Sequence, residues 1–396
     1  MISLAQARAL IAENISPLSA VAAPLGGACG GVLRQDVWAK DDLPGFDRAA
    51  MDGYAIASDD ASEKFRMVAE IQPGAAAKCK IGHGECARIF TGALIPAGAS
   101  QVLMQEDVRI EGEFMVPVER SRVTHVRHRG EDARKGDLLL KSGMRLGAGE
   151  LALLASLGVT RVKTSPPVRV AHFATGNELM APEKKLAPGQ IRDSNSTLVA
   201  TLVRQFGGEM VKQARVADDF DLLLEKTRAL KRSFDLLLIS GGASVGDYDF
   251  GKKLLAALGF KIHFSTINLR PGKPLVFASR GKQAAFVVPG NPVSHLVTLH
   301  VAVRLAFEQF SGGKTSWSLV KIRLAEPFDF QPGTRETFWP ARMEIQNGEL
   351  VARALRWQSS GDVTGLIGIN ALLQLAANLA EPRVGEDISV LMLEVP

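Results

Sequence analysis

Four carboxylates stand in polar, glycine-punctuated stretches of this sequence: Glu178 in ATGNELM, Asp218 in ADDF, and Asp247 and Asp249 in SGGASVGDYDF. Two cations, Arg270 and Lys273, stand close together in RPGKP. Backbone N–H groups in Gly- and Ser-rich turns approach anions closely, and helix N-termini behind such turns favour phosphate. Gly176, Gly241, Gly242, Ser244 and Gly246 are therefore expected in a phosphate cradle, with Ser194, Pro271, Gly272, Gly290, Asn291 and Pro292 on neighbouring turns. A phosphate cradle needs no carboxylate. Carboxylates beside phosphates point instead to a divalent ion, because Mg²⁺ takes one or two of them and completes its octahedron with water and phosphate oxygens. Asp249 and Glu178 are the candidate metal ligands, whereas Asp193 and Asp247 also fit the cap of a following helix. Arg270 and Lys273 suit phosphate or another oxyanion.

These turns end apolar runs. VRVAHFATG, MVKQARVADD, FDLLLISGG and AAFVVPG read as strands. Between and after them, NSTLVATLVRQFGG, FDLLLEKTRALKRS, DFGKKLLAALGF and PVSHLVTLHVAVRLAFEQF read as helices. Such alternation predicts a doubly wound α/β domain over 166–312, its parallel sheet covered on both faces. Ligands of open α/β sheets bind beyond the carboxyl ends of the strands, which is where these turns fall. Residues 36–135 have short alternating runs broken by Gly and Pro and predict an irregular β domain. It is inserted between helical pieces, 1–35 and 136–165, which are expected to pack together. Ser3 and Gln6 are spaced as a capping box for the first helix, and Gly158 ends the second. The last segment, 313–396, returns to short strands and predicts a small β-barrel.

Composition narrows the function. The chain has 396 residues, 46% of them hydrophobic, and 47 basic against 42 acidic side chains give a net charge of only +5. No long basic run occurs, which argues against a nucleic-acid partner. The three cysteines form no CxxC pair, no basic-then-apolar leader precedes the first helix, and no apolar run reaches the roughly 18 residues of a membrane span. A soluble, cytoplasmic protein is expected. His125 and His128 lack further ligands at metal spacing. The P-loop lysine motif and a GxGxxG after a strand are missing from the sequence.

Eight motifs then follow in order: GFDRAAMDGYAI, TGALIPAGASQVLMQED, GED, TGNEL, GQIRDSNS, SGGASVGDYDF, RPGKP and PGNPVS. Together they resemble the molybdopterin molybdenumtransferase family, which includes bacterial MoeA proteins and the C-terminal part of gephyrin. The resemblance covers nearly the whole chain. It implies a four-part subunit in an elongated homodimer that inserts molybdate into adenylylated molybdopterin and releases AMP, with help from Mg²⁺ or another divalent cation. It implies catalytic or polar roles for Asp52, Thr91, Asp132, Glu178, Asp218 and Asp249, with Asp249 at the metal and the scissile pyrophosphate. Arg270, Lys273, Arg335 and Ser360 are implied to hold molybdate. The resemblance also suggests a site shared between subunits, with Asp52 and Asp132 from one chain and Asp249 and Glu178 from the other. Molybdopterin adenylyltransferase and molybdoenzyme maturation proteins are the partners it suggests. Asn177 replaces an aspartate common in relatives, and Arg270 a common lysine. Two other readings use the same resemblance: an adenylyltransferase on the same α/β fold, and a gephyrin-like scaffold. The first would not need the β insertion, and the second would need a long linker or extra domain.

Overall fold

The run VRVAHFAT forms strand β1 (Val168–Thr175), buried along almost its whole length. The other strands of its sheet are β2 (Gly208–Val216), β3 (Leu236–Ser240), β4 (Lys261–Phe264), β5 (Val276–Arg280) and β6 (Gln283–Val288). They lie in the order β2-β1-β3-β6-β5-β4, with β2, β1, β3 and β6 parallel. In this computed structural model, residues 1–231, 233–241, 248–313, 317 and 319–393 are described.

The sheet departs from the all-parallel expectation at one edge. β5 runs antiparallel to β6 and β4 antiparallel to β5. Arg280 pairs with Gln283 across Gly281-Lys282, and Gly281 has φ +58°, so this pair of residues closes a two-residue hairpin.

Helices α2 (Asn195–Gln205), α3 (Phe220–Ala229) and α4 (Tyr248–Ala257) follow β1, β2 and β3. After β6 come α5 (Pro292–Thr298), a π-helical turn (Leu299–Val303) and α6 (Arg304–Ser311). Alternate strand residues supply two separate cores. Val170, Leu236, Leu238 and Phe286 pack with Val199 of α2 and with Val293 and Val297 of α5. Phe173, Leu237, Ile239 and Val287 pack with Leu223 of α3 and Leu254 of α4. Both faces being covered is why the strands read as continuous apolar runs rather than alternating ones.

The first helix, α1 (Leu4–Asn14), carries the expected capping box: Ser3 Oγ accepts from the Gln6 N–H and Gln6 Oε1 from the Ser3 N–H. Its buried face, Leu4, Ala7 and Ile11, joins the first α/β core, a different partner from the one its place in the sequence suggests.

After α6 the chain builds β7 (Leu319–Leu324), β8 (Glu336–Gln346), β9 (Glu349–Ala354), β10 (Ala371–Leu375) and β11 (Asp387–Met392). The pairings β8–β9, β9–β7, β7–β11, β11–β10 and β10–β8 close a ring, the expected barrel. Ile322, Trp339, Leu373 and Val390 fill it.

All these elements belong to one compact unit, which comprises Met1–Gln35, Ser142–Leu154 and Val159–Pro396. The other unit is Asp36–Lys141 with Ala155–Gly158. Its principal sheet contains Gly53–Ile56, Phe65–Ile71, Glu85–Ile89, Gln101–Met104, Val108–Glu111 and Phe114–Pro117. A Cβ at Gly53 would stand 1.9 Å from the Leu103 carbonyl oxygen, so only glycine allows these two strands to meet there. Among the described residues, no helix is long and apolar enough to cross a membrane.

Candidate functional site

A cleft of about 960 Å³ opens beyond the carboxyl ends of β1, β3 and β6. Gly176 and Glu178 enter it from the end of β1, Asp218 from β2, Gly241 from β3, and Gly290, Asn291 and Pro292 from β6. Ser194 lines it just before α2, and Arg270, Pro271, Gly272 and Lys273 line it from the turn between β4 and β5. The barrel adds Arg335 and Ser360. Residues scattered over nearly two hundred positions of the sequence thus share one surface.

The backbone explains several of these choices. A Cβ on Gly176 would fall 2.7–2.9 Å from the Glu178 carboxylate atoms, so glycine lets this carboxylate fold back over the strand end. At Gly241, φ is +96° and a Cβ would lie 2.3 Å from the Thr175 carbonyl oxygen. The two strand ends touch there. Asn177 Oδ1 accepts from the Asp218 N–H over 3.2 Å and so joins the loops after β1 and β2. Asp193 acts as a helix cap, its Oδ1 accepting from the Ser196 N–H over 2.9 Å.

Arg335 Nη1 donates to the Leu269 carbonyl and Arg270 Nη1 to the Gln331 carbonyl, each over 3.3 Å. The short strand Leu269–Arg270 pairs in parallel with Glu336-Thr337, so barrel and sheet hold each other's arginines at the cleft. Asn291 Nδ2 donates to Ser360 Oγ over 2.7 Å. Among the described residues no cluster of three or more His, Cys, Asp or Glu forms a metal cage. Glu178 and Asp218 both line the cleft, which meets the requirement of Mg²⁺ for one or two carboxylates beside substrate oxygens.

Gly242, Ser244, Gly246 and Asp247 lie outside the described residues. Asp249 is the second residue of α4, and its side chain also lies outside them. Asp52, Thr91 and Asp132 belong to the other unit. There the Thr91 N–H and hydroxyl both donate to Asp52 Oδ1 over 2.7 Å. The backbone bond, then the hydroxyl, holds this exposed carboxyl below its ordinary range. Asp132 pairs with Arg127.

The cleft also contains Thr175 and Ser240, which open the TGNEL and SGGASVGDYDF motifs but were given no role, and Trp357 and Ser359, which the eight motifs do not contain. The Arg270 guanidinium lies 5.6 Å from the Trp357 ring centroid, and Trp357 Nε1 donates to the Ser359 carbonyl over 2.7 Å. Trp357 and Ser359 had no signal in the sequence beyond nearness to Ser360. A second concavity, about 1010 Å³, lies at the amino ends of the strands, with Arg169, Arg228 and Arg280 in its wall. These arginines already bind Asp235, the Ala257 carbonyl and the Leu258 carbonyl, so they mainly serve the fold.

Three family models match in order: the MoeA N-terminal region (domains I and II) over residues 2–158, a probable molybdopterin-binding domain over 171–309, and the MoeA C-terminal region (domain IV) over 321–393. A molybdopterin molybdenumtransferase of Nostoc sp. is 34% identical over 384 residues, which is 94% of this chain and 88% of the relative. The molybdopterin molybdenumtransferase of Staphylococcus epidermidis is 29% identical over 376 residues, 92% of this chain and 89% of the relative. The crystal structure of the molybdopterin biosynthesis moeA protein of Pyrococcus horikoshii OT3 superposes with a TM-score of 0.84 at 28% identity, covering 99% of this chain and 100% of that one. The order of the motifs, the closed barrel beside the α/β sheet and these relatives agree: the chain belongs to the molybdopterin molybdenumtransferase family, enzymes of molybdenum cofactor biosynthesis.

Proposed function

We propose that the protein inserts molybdate into adenylylated molybdopterin and releases AMP. The observation that carries this reading is the meeting of Arg270, Lys273 and Arg335 with Glu178 and Asp218 in one cleft at the strand ends. A doubly charged tetrahedral oxyanion needs cations and hydrogen-bond donors, which the two arginines, Lys273 and Ser360 supply. Because Ser360 Oγ accepts from Asn291, its own O–H remains available to donate to an oxyanion. The glycines at the ends of β1, β3 and β6 let a pyrophosphate lie against the backbone.

A divalent cation held by Glu178 and Asp249 would polarise the pyrophosphate that AMP leaves. Asp52 and Asp132 are assigned to the same reaction. We further propose a cytoplasmic homodimer that receives its substrate from a molybdopterin adenylyltransferase and delivers product to molybdoenzyme maturation proteins. Light scattering tests the dimer directly. The reaction is tested by incubating the protein with adenylylated molybdopterin, molybdate and Mg²⁺. AMP should appear only when molybdate is present, and no AMP above the protein-free control would refute the assignment.

A further inference from the structure

Under the cleft floor, four side chains form an unbroken hydrogen-bonded chain across β2, β1, β3 and α5. Gln213 Nε2 lies 2.9 Å from the Ser196 carbonyl oxygen, an acceptor only, which identifies this atom as the amide nitrogen. The same nitrogen lies 3.0 Å from His172 Nδ1, which must therefore accept. The proton of neutral His172 then sits on Nε2, 2.6 Å from Ser240 Oγ. Ser240 accepts that bond and donates to His295 Nε2 over 3.3 Å. His295 carries its proton on Nδ1 and donates to the Pro289 carbonyl over 2.9 Å. Reversing either imidazole tautomer would set two donors or two acceptors against each other, so only one direction satisfies every group.

The two rings have no solvent exposure and Ser240 is 2% exposed. Burial pushes His172 down to about 3 and His295 to about 4, so both are neutral near pH 7. The carboxylate that acts on His295 is Asp193, already engaged by Ser196 and Arg215. Ser240 precedes Gly241, and Pro289 precedes Gly290 and Asn291. These two turns are in close contact: a Cβ on Gly290 would stand 3.5 Å from the Gly241 Cα.

We propose that Gln213, His172, Ser240 and His295 form a one-directional chain of neutral hydrogen bonds that fixes Gly241, at the end of β3, relative to the turn after β6. In it, His172 and His295 are positioning residues for the adenylylated substrate. This role rests on the reaction proposed above, but the direction of the chain does not. Long-range ¹H–¹⁵N correlation spectra of the imidazoles, recorded without substrate, test the direction. His172 should be the Nε2–H tautomer and His295 the Nδ1–H tautomer, both untitrated from about pH 8 to about pH 5.5. The opposite tautomer, or a ring charged in that range, would overturn the chain whatever the reaction is.

Positioning is read from kinetics of AMP release well below the melting temperature. His172→Leu and Ser240→Ala should each raise KM for adenylylated molybdopterin about tenfold, with kcat changed less than about twofold. His172→Gln keeps an amide donor toward Ser240 and should restore KM to within about threefold of wild type. A fall in melting temperature with unchanged KM in Ser240→Ala and His172→Gln alike would make the chain purely structural. If His172→Leu does not fold, Ser240→Ala and the glutamine variant still decide.

Discussion

Asn291 and Ser360 hydrogen-bond through their side chains, Nδ2 to Oγ, over 2.7 Å, and the Val293 N–H donates to the Ser360 carbonyl over 3.0 Å. Asn291 is the N-cap position of α5 and Ser360 belongs to the barrel loop that follows β9. The barrel is thereby fastened to the α/β sheet at the mouth of the cleft. Because Ser360 Oγ accepts in this bond, its hydroxyl proton is left over from it.

Ser360→Ala and Arg335→Ala are expected to weaken use of molybdate more than binding of the adenylylated pterin. Each variant loses one hydrogen bond to an anion, about 1.5–3 kcal/mol, so KM for molybdate should rise roughly tenfold to a hundredfold. Arg335→Lys should recover only part of this, because an ammonium lacks the planar fork. Initial rates at varied molybdate concentration measure the effect. Variants that excess molybdate fails to rescue would remove that residue from molybdate binding.

Two glycines of the cleft should fail in different ways. Gly241→Ala puts a Cβ against the backbone oxygen of Thr175, which cannot move without the strand end, so loss of fold stability by several kcal/mol is expected. Gly176→Ala meets the mobile end of Glu178 instead, and the carboxylate can swing away, which leaves only the backbone strain of φ +153°. Its stability should fall by only about 1–2 kcal/mol while AMP release drops at least about tenfold. Urea denaturation and AMP release, measured on both variants, separate the two cases. Equal behaviour of the pair would contradict the packing described.

Much of this site could be read from the sequence, because ligand contact at a parallel sheet depends on local features: a buried strand, then a turn of small residues. Gly176, Gly241 and Gly290 announce themselves by type and by position after apolar runs. The hairpin of β5 and β6 was less legible. GKQ between two apolar strands gives a weak turn signal, and KPLVFAS merges with the RPGKP motif before it. The partner of α1 was hidden as well, since an amphipathic helix shows which face is buried but not what it is buried against. His172 and His295 escaped notice for another reason. In sequence they are lone polar residues beside apolar ones, and only the three-strand register Ala174↔Ser240↔Val288, with α5 above it, brings them to Ser240.

Stability should fall as the solution is acidified from about pH 6.5 toward pH 5. His172, His295 and His300 are buried, and desolvation lowers them from 6.5 to about 3, 4 and 3. The folded chain keeps all three neutral in this window, whereas the unfolded chain binds protons below 6.5. Protons therefore favour unfolding, by up to about 1.4 kcal/mol per pH unit for each ring. Most carboxylates titrate below the window, so the slope belongs mainly to histidine. Urea midpoints at several pH values measure it, and His300→Leu should flatten the slope, because one buried ring no longer contributes. A flat profile between pH 6.5 and pH 5 would show that these rings protonate freely in the fold.

Asp249→Asn should abolish AMP release while leaving the fold and substrate binding nearly intact. Asp249 is the second residue of α4, eight positions after Gly241 of the cleft. An amide of the same size is accepted in the first turn of a helix. The amide is nevertheless a poor ligand for a hard cation, so any metal-assisted departure of AMP should slow by at least about a hundredfold. Glu178→Gln should show a loss of the same kind. Asp219→Ala is the control: Asp219 caps α3 by accepting from the Leu222 N–H, and it does not line the cleft. It should cost about 1 kcal/mol of stability and leave AMP release near the wild-type rate. Titrating Mg²⁺ against each variant then separates the roles. Asp249→Asn and Glu178→Gln should need far more metal for half-maximal activity than wild type, or show none, while Asp219→Ala keeps the wild-type requirement. AMP release at the wild-type rate and the wild-type metal concentration in Asp249→Asn would exclude Asp249 from the mechanism.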